Sequence, residues 1–300
     1  MVVLTRATLR TYNQQLKNFL LAGLIATALL STSSCSSLVS SAASGMASNL
    51  SKAILNSNDP QTVADGAPAY LLLLDSFLGD EPDSPELLLS AATLYGAYAG
   101  VFVKDPERAK IMSQHAFGYS QQAICLDYSK FCAAPKIEFN TFTAQLRKLT
   151  KDDVPAFYTL GTTWAGRIQA NKSDWKIIAE LPRVTAVMLR IVELDPTYKD
   201  GGAHLYLGVL NTLLPAAFGG KPEKGKQYFE QAIKISKGKN LMAQVLYAEK
   251  YARLVFNQEL HDDLLAKALK ANPKVPDLTL MNTLAQQQAK ELLASGKDYF

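Results

Sequence analysis

Histidines are the residues of this 300-residue chain that could act in acid–base catalysis or bind a metal. The three histidines, His115, His204 and His261, are far apart in the sequence. They form no zinc-protease spacing, and the chain has no Gly-x-Ser-x-Gly nucleophile motif. His204 falls on a helical repeat position, which favours a packed histidine over a catalytic one. The sequence therefore predicts no enzyme activity, no metal site and no cofactor.

A glycine-rich stretch resembles a phosphate-binding loop. Gly220 and Gly225-Lys226 have the spacing of such a loop, but Gln227 stands where a Ser or Thr would hold magnesium. No predicted strand precedes the stretch, as that loop requires. We therefore interpret Gly219-Gly220 as a turn before a helix that begins near Pro222.

Cys35 is a candidate lipidation site. It follows a basic segment, an uncharged apolar run over 19–30 and a short run of small residues. This order is that of a secretory signal, and a Cys directly after it resembles a bacterial lipobox. Thr32 departs from the lipobox, where Leu is usual, so ordinary cleavage is the alternative. The absence of Asp at Ser36 favours the outer membrane. We expect a signal peptide over 1–34, a Ser/Ala-rich tether over 35–50 and one helical domain over 51–300.

The charge of the chain excludes a nucleic-acid partner. Residues 1–34 contain three basic residues and no acid, so their removal leaves 28 Lys and Arg against 27 Asp and Glu. A nucleic-acid binder needs a basic stripe to neutralise several phosphates. The mature chain would have none.

Cys125 and Cys132 remain when Cys35 is assigned to lipid. In an oxidising periplasm they could form a disulfide across a short loop. Two separate buried thiols are the alternative, because free Cys packs as a small hydrophobe. No neighbouring Cys or His completes a metal site.

Helical periodicity runs through almost the whole chain beyond the tether. Apolar residues recur at i, i+3, i+4 and i+7, as in Val184, Val187, Met188 and Ile191, and Pro or Gly separates the periodic segments. The sequence predicts an all-α protein. The spacing Phe157-x2-Leu160-Gly161-x2-Trp164 fits the first helix of a tetratricopeptide (TPR) hairpin. Looser matches that begin at Leu88, His204 and Gln244 predict three more hairpins, and a further one is expected before them, around 62–78. Together they predict a TPR-like α-solenoid of antiparallel hairpins with insertions, and a C-terminal capping helix from about residue 277.

A candidate ligand or partner cleft lies between the third and fourth predicted hairpins. Its predicted walls are aromatic and cationic side chains near two insertions, namely Tyr158, Trp164, Arg167, Trp175, His204, Tyr206 and Phe218. Aromatic walls with one Arg suit an organic anion with an apolar body. The small apolar residues predicted along the concave face also suit self-association or plain packing. Trp175 has polar neighbours in an insertion and is the better contact candidate.

Several stretches resemble the T-component family of tripartite ATP-independent periplasmic (TRAP) transporters. The stretches cover 153–158 (DVPAFY), 164–168 (WAGRI), 193–208 (ELDPTYKDGGAHLYLG), 217–232 (AFGGKPEKGKQYFEQA) and 256–260 (FNQEL). The resemblance extends over about 60–300, and the insertions match as well as the repeat. The weakened lipobox and the Cys125/Cys132 pair depart from the family.

The resemblance implies a periplasmic, lipid-anchored, non-enzymatic accessory protein of TPR-like fold. Its expected partners are a TRAP-type substrate-binding protein, the membrane through the lipid anchor, and further copies of the chain, with a trimer as the expected oligomer. A TPR scaffold lipoprotein in cell-envelope assembly, without a small ligand, is the alternative. A hydrolase comes third, because it would need a nucleophile within hydrogen-bond reach of His204.

Overall fold

Proline with an acid or Ser before it begins many of the helices. In a computed structural model, which describes residues 49–50 and 52–300 apart from the side chain of Phe218, such residues cap the helices that start at Pro60, Pro85 and Pro106. The carboxylate of Asp105 accepts a hydrogen bond from the backbone N–H of Arg108 at 2.7 Å. Pro fits the first turn because the N–H that it lacks would have no helical partner there.

From Pro60 onward the described chain forms twelve α-helices and no strand. They are α1 (Pro60–Asp80), α2 (Pro85–Val101), α3 (Pro106–Asp127), α4 (Phe139–Leu146), α5 (Val154–Ala170), α6 (Trp175–Ile178), α7 (Leu181–Leu194), α8 (Tyr198–Asn211), α9 (Pro222–Ile235), α10 (Leu241–Leu246), α11 (Gln258–Lys270) and α12 (Thr279–Tyr299). A π-helical segment, Tyr247–Ala252, continues α10. The all-α prediction is confirmed.

The helices pack mainly as consecutive antiparallel pairs. These pairs are α2 with α3, α5 with α7, α8 with α9, and α10 together with its π-helical continuation with α11. The insertion after α5 contains α6, and α12 packs against α10 and α11. The four hairpins predicted from the repeat spacing correspond to these four pairs, whereas residues 62–78 lie in the single helix α1. Their arrangement as a TPR-like solenoid stays a prediction.

Small residues in the first helix allow two of these pairs to approach closely. A Cβ on Gly161 of α5 would lie 2.7 Å from the Met188 side chain of α7. One on Gly208 of α8 would lie 2.8 Å from the Phe229 ring of α9. At Gly208 the rigid Phe229 ring leaves no room for a Cβ, whereas at Gly161 the end of the flexible Met188 side chain would have to move.

The largest core lies where α3, α4, α5, α7 and α8 meet. Its centre is a set of aromatic rings around the fully buried Trp164, which lies 5.3 Å from Phe117 and 6.2 Å from Phe142 between ring centroids. Phe131 packs 5.0 Å from Phe157 in the same cluster. A second core, around Phe229 and the π-helical segment, joins α9 to α12. These cores fix α5 and α8, the two helices that position the candidate site.

Cys125 and Cys132 are joined by a disulfide in the structure, with their Cα atoms 4.3 Å apart. The bond connects the end of α3 to the 3-10 turn Ser129–Phe131. This turn delivers Phe131 to the aromatic core. Closing the short loop restricts the unfolded chain and so stabilises the folded turn.

The two ends of the helical stack are in contact. Asn56 Nδ2 donates to Asp277 Oδ1 at 3.2 Å, and the backbone N–H of Asp277 donates to Asn56 Oδ1 at 2.9 Å. The helices α1 and α12 also touch. The segments that precede the first and last of these helices are therefore in direct contact.

Candidate functional site

Three tyrosines from α5 and α8 pack together, and two of them, Tyr158 and Tyr206, belong to the predicted cleft. The ring of Tyr158 packs edge-on against Tyr198 and Tyr206, with centroids 5.2 and 6.1 Å apart. Burial raises the pKa of Tyr206 to about 12. Burial, and the nearby phenols of Tyr206 and Tyr198, raise the pKa of Tyr158 well above its usual value. The phenols therefore stay protonated at neutral pH and offer hydrogen-bond donors rather than negative charge.

A left-handed turn at the start of α8 places Tyr198 in this cluster. Lys199, Asp200 and Gly201 have φ values of 49°, 54° and 79°, so the regular helix begins only at Gly202. Two successive non-glycine residues in this region are costly and need support from the surrounding structure. Gly202 packs directly under the Tyr158 hydroxyl, where a Cβ would lie 2.2 Å away.

His204 follows on α8 and lies in the interior. Its side chain is 8% exposed, its Nδ1 has no hydrogen-bond partner among the described residues, and its ring lies 6.0 Å from that of Tyr228. Burial lowers the pKa of His204, so the ring is neutral at neutral pH. The nucleophile that a hydrolase would need is not within hydrogen-bond reach of His204 in the described structure.

Trp164 and Arg167 share one carboxylate instead of facing an open cleft. Glu180 Oε2 accepts from the indole Nε1 of Trp164 at 2.6 Å and from Nη1 of Arg167 at 2.5 Å. The guanidinium also lies 4.9 Å from the centroid of the Phe117 ring. Both members of the ion pair have side chains only 14% exposed. The charge of Arg167 is therefore neutralised inside the protein.

Trp175 lines a separate apolar pocket of about 150 Å³. The pocket lies between the insertion after α5 and the loop that connects α8 to α9. It is lined by Ile168, Gln169, Lys172, Trp175, Ile178, Leu181, Leu213 and Leu214. Trp175 is 79% exposed at the rim. Trp175, the predicted contact residue, therefore lies at an open pocket, whereas Trp164 and Arg167 do not line it.

Three residues of the pocket lining, Lys172, Leu213 and Leu214, were not predicted from the sequence. Lys172 stands three residues before Trp175 in the same insertion, so a basic side chain beside an exposed aromatic one was a usable signal. The backbone of Phe218 lies in the 3-10 turn Ala216–Phe218 of the second insertion. The side chain of Phe218 is outside the described part of the structure.

Lys172 supplies the positive charge of the pocket lining. It makes no ion pair with the residues that the structure describes. Partial burial, and then the ammonium of Lys250, lower the pKa of Lys172 from its usual value. Lys250 does not line the pocket, and its Nζ already lies 2.6 Å from Glu249 Oε1. The Lys172 ammonium is therefore available to an anionic group that enters the pocket.

Asp75 and the other two histidines do not line the pocket and contact neighbouring side chains instead. Asp75 accepts from the hydroxyls of Tyr95 and Tyr119 at 2.5 and 2.7 Å. His115 stacks on Tyr95, and His261 lies 2.8 Å from Asp262. No group of three or more His, Cys, Asp or Glu side chains in the described residues is arranged to hold a metal ion.

Comparison with known families agrees with the resemblance seen in the sequence. The sequence profile of the TRAP transporter T-component family matches residues 56–300, which are 245 of the 300 residues. The chain belongs to the TRAP transporter T-component family. This membership gives the T-component protein an accessory role in TRAP transport, in a family that is not known for enzyme activity. No curated protein matches the chain significantly.

The predicted membrane attachment of this T-component protein lies outside the described residues. Cys35, the signal segment 1–34 and nearly all of the tether 35–50 fall there. Within the described residues, no helix combines the length and the apolar character needed to cross a membrane.

Proposed function

We propose that this T-component protein is a lipid-anchored periplasmic accessory of a TRAP transporter. It docks the transporter's substrate-binding protein and holds a hydrophobic ligand or an organic acid. The family match over 56–300 supports the transporter setting. The signal-like segment before Cys35 supports the anchor, with the outer membrane favoured.

The pocket beside Trp175 is the observation that carries the ligand-holding part of this proposal. Six of its eight lining residues are apolar, and a large aromatic ring stands exposed at its rim. Ligand sites are concave, mostly apolar and provided with a few polar groups that fix orientation. Tyr158 and Tyr206 do not line this pocket, so the ligand-holding part rests on the residues around Trp175. The proposal also includes self-association of the chain as a trimer.

Affinity capture tests the docking part of the proposal. The tagged chain is cross-linked on native membranes, and the recovered proteins are identified by mass spectrometry. We expect a TRAP-type substrate-binding protein, whereas recovery of outer-membrane assembly factors alone would overturn the docking role. In the same experiment Cys35→Ala is expected to move the protein to the soluble fraction. Retention of that variant on membranes would contradict a lipid anchor at Cys35.

A scaffold without a small ligand is the second candidate function. It is favoured by the use of Trp164 and Arg167 as core partners of Glu180, which leaves a pocket of modest volume. In that case lipophilic extracts of the cell would leave the melting temperature of the purified protein unchanged. A rise in melting temperature on addition of such an extract would favour the ligand-holding function.

A further inference from the structure

The walls of the Trp175 pocket set the size of the group that it can hold. The pocket has a volume of about 150 Å³ and apolar sides from Ile168, Ile178, Leu181 and Leu213. An engineered cavity of similar volume with aliphatic and aromatic walls binds benzene. The apolar part of a matching ligand therefore has about six carbon atoms.

The charge at the pocket's polar end sets the ligand's sign. Lys172 lines the pocket and has no ion-pair partner among the described residues, while Lys250 already pairs with Glu249. Arg167 is unsuitable as an anion-binding group because Glu180 neutralises it inside the protein. An ammonium beside an apolar wall is satisfied by an anionic group that enters with an apolar body.

The number of charges on the ligand follows from the same groups. Among the described residues that line the pocket, Lys172 is the one charged residue, so one negative charge on the ligand is matched there. A second carboxylate on the ligand would meet the apolar walls, where an unpaired charge is unfavourable.

We propose that the pocket binds a monocarboxylate with an apolar body of about six carbon atoms, whose carboxylate pairs with Lys172 while its body packs against Trp175, Ile178 and Leu213. This inference rests on the proposed ligand-holding function and names the class of ligand. Gln169, at the pocket's edge, offers an amide donor to the same carboxylate.

Calorimetric titration with cyclohexanecarboxylate tests this proposal on the full-length protein. Cyclohexylmethanol, which has the same ring and no charge, is the matched ligand control. We expect cyclohexanecarboxylate to bind at least tenfold more tightly than the alcohol and than acetate. Quenching of Trp175 fluorescence should accompany binding and should be absent in Trp175→Phe, since the other tryptophan, Trp164, is fully buried.

Variants at two neighbouring lysines separate a specific contact from general charge. Lys172→Met should weaken cyclohexanecarboxylate binding at least tenfold and leave the weak binding of the alcohol unchanged. Lys176→Met removes an exposed charge outside the pocket lining and should have no effect. Equal binding of the acid and the alcohol, or equal effects of the two variants, would overturn the proposal. Recovery of the substrate-binding protein in the capture experiment would still support docking, so the two failures are distinguishable.

Discussion

At the scale of single residues, Glu180 pairs with Arg167 and so leaves Lys172 as the cation that lines the pocket. It accepts from both Trp164 and Arg167, so the guanidinium is part of the core. Lys172 lies in the same insertion and has no such acceptor among the described residues. Neither sequence spacing nor composition indicates which carboxylate will neutralise Arg167, because Glu180 reaches it only after the insertion has folded back. The exposed position of Trp175, by contrast, agrees with the polar residues around it in the sequence.

Replacing Glu180 should destabilise the protein through this shared contact. Glu180→Ala leaves the mostly buried guanidinium of Arg167 without a counter-charge and should lower the free energy of unfolding by about 3 kcal/mol. Glu180→Gln also removes the counter-charge but keeps an acceptor for the Trp164 indole, so it should cost less, about 2 kcal/mol. Urea denaturation followed by the Trp164 fluorescence gives both values.

Asp263→Ala is the control for the Glu180 variants. It removes the partner of Lys267 from an ion pair whose members are 50% and 65% exposed. Solvent screens such a pair, so the expected change is below about 0.5 kcal/mol. Equal unfolding free energies for Glu180→Ala and Asp263→Ala would contradict a structural role for the shared carboxylate.

At the scale of helices, contact between the two members of a hairpin explains much of the regularity in the sequence. Gly161 and Gly208 occupy the same position of the repeat pattern, and both meet a large side chain of the following helix. The helix starts at Pro106 and Pro222 were predictable because Pro and acid signals act within one turn. The left-handed turn before Gly202 was not predictable, since Lys199 and Asp200 adopt it only under the constraint of the surrounding packing.

Gly208→Ala should weaken the α8–α9 hairpin. The new Cβ would lie 2.8 Å from the Phe229 ring, and relief of this overlap should cost about 1–3 kcal/mol. Gly166→Ala is the matched substitution, because nothing lies within 4 Å of the Cβ that it would add in the middle of α5. That variant should be neutral or more stable by about 0.5–1 kcal/mol. Thermal unfolding of the two proteins distinguishes them, and destabilisation by both to the same extent would refute the close-packing argument.

At the scale of the whole molecule, the segments that precede the first and last helices are in contact. The contact joins residues that are 221 positions apart, at Asn56 and Asp277. Helical periodicity reports only on neighbouring residues in the sequence. The hairpins could therefore be predicted from it, but the contact between Asn56 and Asp277 could not. The pocket could not be predicted for the same reason. Its residues Lys172 and Leu213 come from two insertions that meet only in the folded chain.

Loss of the contact between Asn56 and Asp277 should change local dynamics and have little effect on overall stability. Asn56→Ala removes the acceptor of the Asp277 backbone N–H and the donor to its carboxylate. Since both residues are exposed, the global cost should be about 1 kcal/mol or less. Exchange of the Asp277 amide hydrogen should nevertheless accelerate, because an exposed amide without a partner exchanges by local opening. Hydrogen-exchange mass spectrometry of peptides that cover 272–280 measures this effect.

Asn58→Ala changes a neighbouring exposed side chain that does not bond to Asp277, and its exchange pattern should match that of the parent. Unchanged exchange at Asp277 in Asn56→Ala would contradict the prediction. It would show that the contact between α1 and α12 protects this amide without the Asn56 side chain.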